Sequence, residues 1–125
     1  MAGILPIMGG RAFLQRIKID EIVVPQLAQP GILVPIGVKF TVNCPRGSAK
    51  FKVKISDKLP DGSIITLKEI DNNERKNGTY TGAIPVELPK VSGIDTIIVE
   101  FYCMGIFGFI PRLQDRAEAD LEKRA

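Results

Sequence analysis

Val38-Lys39-Phe40-Thr41-Val42-Asn43-Cys44, the turn Pro45-Arg46-Gly47-Ser48, and Lys50-Phe51-Lys52-Val53-Lys54-Ile55 together decide the fold. In the first run Val38, Phe40, Val42 and Cys44 alternate with polar residues. In the second, Phe51, Val53 and Ile55 alternate with three lysines. A period of two places apolar side chains on one face and polar ones on the other, the pattern of a half-buried antiparallel sheet.

Working outward, the same alternation recurs. Ile17 and Ile19 alternate with charged residues until Pro25. Leu59-Pro60-Asp61-Gly62 is a turn, and Ile64 to Ile70 returns as a strand with Ile65 and Leu67 inward. Asp71 to Lys76 reads as a polar loop and Asn77-Gly78 as a tight turn. Tyr80, Ile84, Val86 and Leu88 share parity in the next strand, where Pro85 argues for an edge or a bulge. Ile97, Val99, Phe101 and Cys103 mark the strongest strand, running from Thr96 to Met104. Gln26 to Pro35, with Pro25, Pro30 and Pro35, reads as an extended connection holding at most an edge strand at Ile32–Val34. Beyond Pro111, Leu113, Ala117 and Leu121 recur at a spacing of four, which predicts a short charged C-terminal helix.

About seven short strands between turn signals predict an all-β, antiparallel two-sheet sandwich. The class it resembles is immunoglobulin-like: Cys44 and Cys103 end two inward-facing strands, as the inter-sheet cysteine pair of that class does. A jelly roll or small barrel fits the same pattern. The expected organisation is an apolar N-terminal arm (1–14), a sandwich (15–104), and an apolar connector with a charged helix (105–125).

Composition narrows the functional classes. The chain has 125 residues, seventeen basic and fourteen acidic, and no histidine. Without histidine the commonest general base and metal ligand are missing. No Gly-x-Ser-x-Gly elbow or phosphate-binding glycine loop occurs. Asp71-Asn72-Asn73-Glu74 starts like a calcium loop, but Arg75 and Lys76 occupy the positions that need an oxygen ligand and a glycine. No catalytic residue, metal or cofactor is expected, and the chain is not expected to be an enzyme. Cys44 and Cys103 read as two small buried hydrophobes in preference to a disulfide. The first charge, Arg11, follows the apolar N-terminal stretch, the reverse of a secretory signal, and the long uncharged run Ile22–Val38 is broken by three prolines. Synthesis in a cytoplasm is therefore expected, and Asn77-Gly78-Thr79 is read as a turn before a glycosylation site.

The remaining signal is the apolar character of the two ends. Met1 to Gly10 and Met104 to Ile110 carry surface that a domain of this size does not need for its core. The expected role is a structural or interaction subunit of a larger homo- or hetero-oligomeric assembly, with a virus or phage particle (capsid, decoration or tail) as the setting. Ile4, Leu5, Ile7, Ile106, Phe107 and Phe109 are the expected anchors. The alternative is a binding module for nucleic acid or an acidic partner, using Lys50, Lys52 and Lys54 as a basic face. A membrane surface is not an expected partner.

Overall fold

A computed structural model describes residues 15–104 and 111–124. Eight strands are present among them and no helix: β1 Ile17–Val23, β2 Leu27–Ala28, β3 Leu33–Val42, β4 Ser48–Lys58, β5 Ile64–Lys76, β6 Gly78–Glu87, β7 Gly93–Met104 and β8 Pro111–Lys123. They form a three-stranded sheet, β1-β3-β6, and a five-stranded sheet, β2-β8-β7-β4-β5. All pairings are antiparallel except β2 with β8. The inward faces meet in one core. Val34, Ile36, Val38 and Val42 come from β3, Phe51, Val53 and Ile55 from β4, and Ile97, Val99, Phe101 and Cys103 from β7. The residues Val38 to Ile55 thus cross from one sheet to the other, and β3 and β4 do not pair with each other.

The predicted C-terminal helix is absent. Residues Pro111–Lys123 form β8, an interior strand between β7 and β2. The reason is arithmetic: a spacing of four is two strand repeats as well as about one helical turn. Ala117, Ala119, Leu121 and Lys123 face inward at period two, and only Leu121 and Lys123 of these are fully buried. A register shift between Phe101 and Tyr102 places a bulge near Gln114, which reverses the parity and leaves Leu113 exposed.

Two other expectations change. Asp71 to Lys76 continues β5 and is not a loop; Asn72 adopts φ 60°, and Asn73 Nδ2 donates to the carbonyls of Phe51 (3.2 Å) and Ile70 (2.7 Å). Ile65 has 38% of its surface exposed, because β5 lies at an open edge that the smaller sheet does not cover. Pro35 also lies inside a strand. It sits opposite Pro85 on the edge strand β6. Directly opposed antiparallel residues exchange either two hydrogen bonds or none, so two prolines tolerate each other only at a non-bonded pair. Pro35 then faces the side of β1, which has already ended at the level of Gly37.

Side chains close the seam where β1 lies against β8. Gln114 Oε1 accepts from the Arg16 backbone N–H (2.7 Å), and Asp115 Oδ2 accepts from that of Ile19 (2.7 Å). At the other side, Asn77 bridges the sheets: its Oδ1 accepts from Cys44 N–H (2.8 Å) and its Nδ2 donates to Cys44 O (3.0 Å). Both ends of its carboxamide are committed to a turn.

Gly93, which opens β7, has φ 132°, and a Cβ there would stand 2.7 Å from Pro60 Cγ in a ring that cannot rotate away. Gly93→Ala is expected to lower unfolding free energy in a urea titration by about 1–3 kcal/mol, the cost of a residue held in a disallowed conformation. An unchanged midpoint would show that this end of the sheet is looser than described.

Candidate functional site: a buried acid pair at the apolar end

The topology gives the molecule two unlike ends. β1 ends, β3 begins, β4 ends, β5 begins, β6 ends, β7 begins and β8 ends toward the same pole. Nine large apolar side chains are exposed among the described residues. Seven of them (Leu27, Ile32, Leu33, Ile64, Ile65, Val91 and Ile94) lie at this pole, while Val23, the last residue of β1, stands opposite Gly37 midway along β3 and Leu113 lies toward the other end. Such a concentration on one rim is not how scattered surface leucines and isoleucines distribute.

Beneath the rim the core is polar. Asp57, Asp95 and Lys123 have no solvent-exposed surface. Each continues the inward parity of an apolar strand: Asp57 follows Val53 and Ile55, Asp95 precedes Ile97 and Val99, and Lys123 follows Leu121. Register places Asp57 opposite Ile97, Asp95 opposite Leu121, and Lys123 opposite Gly93, whose missing side chain leaves the lysine room to reach diagonally. Lys123 Nζ stands 2.8 Å from Asp95 Oδ2 and donates to the Pro89 carbonyl at 3.2 Å. The ion pair is close but poorly aligned, and none of the four carboxylate oxygens has a hydrogen-bond donor of good geometry.

Two buried carboxylates facing one ammonium cannot both be charged without leaving one uncompensated. Burial above all, then a hydrogen bond to Asp95 and the negative charge of Asp95, raises the Asp57 pKa from 3.8 to about 7, against the opposing pull of Lys123. A proton shared between the carboxyl groups supplies the missing donor. Below about pH 7 Asp57 therefore keeps its proton, in a cluster sealed from water.

The anchors expected from sequence, Ile4, Leu5, Ile7, Ile106, Phe107 and Phe109, lie outside the described residues. The residues that flank them, Gln15, Met104 and Pro111, stand together at the pole opposite the exposed rim; Gln15 Nε2 donates to Gln114 O at 3.0 Å. Lys50, Lys52 and Lys54 share the outer face of the larger sheet with acidic residues. Lys50 pairs in register with Glu74, and Lys54 with Glu69 and Glu100. Lys52 Nζ is 3.6 Å from Glu69 and 5.4 Å from the centre of the Tyr102 ring. Cys44 and Cys103 are buried free thiols, and burial, beyond the opposing effect of Arg16, pushes the Cys103 thiol up to about 11. The sequence reading missed the Asp57, Asp95 and Lys123 cluster. Its signal was a charged residue extending the apolar parity of three separate strands at the same end.

No family model and no curated protein matches the chain. Solved structures share its fold. A structure described as AvmM, which catalyses macrocyclization in alchivemycin A biosynthesis, matches at TM-score 0.57 and 10% identity, over 88% of this chain and 89% of that one. The Pseudomonas fluorescens alkylpurine DNA glycosylase AlkC, bound to DNA containing an abasic site analogue, matches at TM-score 0.54 and 15% identity, over 86% of this chain and 30% of that one. The Bacillus subtilis sporulation control protein Spo0M matches at TM-score 0.52 and 12% identity, over 90% of this chain and 51% of that one. The chain spans less than a third of the glycosylase and about half of the sporulation protein. At these identities the likeness is one of fold: an all-β, sandwich-like pair of sheets.

Because the folded Asp57 pKa lies above its ordinary value, the native state holds that proton more tightly than the unfolded chain does. Its contribution to stability is present at acid pH and is lost as pH rises from 3.8 to about 7, with no further change above. Thermal melts of the chain with Lys123 and Asp95 still an ion pair should show that fall across this range, and Asp57→Asn should flatten it. A wild-type slope that survives the substitution would assign the pH dependence elsewhere.

Proposed function

We propose that this chain is a non-catalytic subunit that assembles with copies of itself head to tail, on an immunoglobulin-like sandwich. The observation that carries the proposal is the opposition of the two poles. Seven exposed large apolar side chains rim one end, and the apolar segments 1–14 and 105–110 join the described strands at the other. In such an array the N-terminal arm of one copy, with Ile4, Leu5 and Ile7, covers the Leu33, Ile64 and Ile94 rim of the next. Donor and acceptor surfaces are different patches, so the contact is heterologous and propagates into a ring or a filament instead of closing as a two-fold dimer. The immunoglobulin-like assignment is supported by the strand order, by the short β2 running parallel to β8 beside the first strand of the smaller sheet, and by Cys44 and Cys103 on β-strands of opposing sheets or their ends. The virus or phage setting rests on class-level association alone.

The rival, nucleic-acid or acidic-partner binding by Lys50, Lys52 and Lys54, competes with the acidic neighbours those lysines already face. Salt separates the two readings: phosphate binding weakens steeply with ionic strength, whereas apolar docking does not.

Size-exclusion chromatography with light scattering is the direct test. Concentration-dependent species beyond a dimer are expected, insensitive to salt, and lost on deletion of residues 1–10 or on Leu33→Asp with Ile94→Asp. A monomer at high concentration, or a truncated chain that assembles like the full one, would overturn the proposal.

A further inference from the structure

We propose that Lys123 and Asp95 form an intramolecular isopeptide bond, with Asp57 as the proton-transfer residue. The inference is independent of how the chain assembles. It rests on three geometric facts. The reacting groups are already in contact, with Lys123 Nζ 2.8 Å from Asp95 Oδ2. All three side chains are without solvent exposure at the end of an apolar core. The four carboxylate oxygens lack aligned hydrogen-bond donors, so no neutral donor competes with Lys123 for the Asp95 carboxyl group.

The chemistry follows from those positions. Lys123 passes one proton to the carboxyl pair, leaving a neutral amine beside a protonated Asp95 carboxyl group. Burial favours this redistribution, because it exchanges two charges for none. The amine lone pair attacks Asp95 Cγ, and the C–N bond forms. Asp57, on the neighbouring strand β4, takes a proton from the nitrogen and delivers it to the departing hydroxyl as the C–O bond breaks. The sum is ammonium plus carboxylate to secondary amide plus one water, with Asp57 returned to its starting state and no oxidant or co-reactant consumed. Fixed proximity replaces activation of the carboxyl group, and a dry site favours the dehydrated product. The amide also removes two buried charges that the fold otherwise carries at a cost.

The bond would fasten the last residue of β8 to the third of β7, at the pole where β8 would otherwise begin to peel from the sheet. Its formation is a single self-directed event and not turnover.

Intact-mass spectrometry of the full chain is the test. The wild type is expected to be lighter than its sequence mass by one water, and proteolysis should release a branched peptide joining residues 95 and 123. Lys123→Arg and Asp95→Ala are expected at full mass. Asp57→Asn, which keeps the ion pair and so guards against a failure to fold, is also expected at full mass with a native circular dichroism spectrum. Water loss can also arise from a succinimide at Asp61-Gly62, and that loss would persist in Lys123→Arg. A wild type at full mass after prolonged incubation, or a water loss that Lys123→Arg leaves in place, would overturn the proposal.

Discussion

A lysine with no solvent-exposed surface is the constraint around which one end of this molecule is built. Lys123 closes β8, and β8 is the interior strand that joins the short β2 to the rest of the larger sheet. Burying an ammonium is tolerated only against a paired charge. Its position therefore depends on Asp95 across one strand and on the Pro89 carbonyl from the β6–β7 connection. Asp57 adds a second acid to the pair and a shared proton to the site. Remove the cation and two carboxyl groups face each other in a core of isoleucine, valine and leucine. The strand most densely charged in the sequence is thus held at its last residue by charge and at its first turn by the Gln114 and Asp115 side chains, which satisfy backbone donors of β1.

The same end is the apolar one. Below the surface lie three ionisable groups, and above them a rim of exposed aliphatic residues. The two layers have a common origin. Short connections turn the chain at this pole, so strands end there before either sheet can fully cover the other, and β5 is left at an open edge. The opposite pole carries the attachment points of the two apolar segments. This polarity is the basis of the proposed end-to-end assembly.

Much of the fold was legible because β3, β4 and β7 each present an unbroken period-two run of apolar residues. Val38 to Cys44, Phe51 to Ile55 and Ile97 to Cys103 all face inward or nearly so. What failed did so for physical reasons. In β8 a spacing of four satisfied both periods, and high charge suggested an exposed helix when the strand's outer face was carrying those charges. In β5 the polar run after Ile70 hid a strand, because an edge strand exposed on both faces shows no apolar alternation. Pro35 looked like a strand breaker, yet its missing donor falls where β1 has ended. The buried cluster was hidden by composition: a lone aspartate or lysine at a strand terminus reads as solvated, and only the coincidence of three such residues on neighbouring strands, each keeping the inward parity, distinguishes it. The anchors proposed at the termini rest on sequence alone.

The account turns on three side chains that share charge and proton out of reach of water. Carbon-13 NMR of the side-chain carboxyl carbons, followed over a pH titration, observes them directly. Where Lys123 and Asp95 remain an ion pair, Asp57 is predicted to titrate near 7, well above the ordinary aspartate value. An Asp57 carboxyl that titrates near 3.8, as exposed carboxylates do, would contradict this.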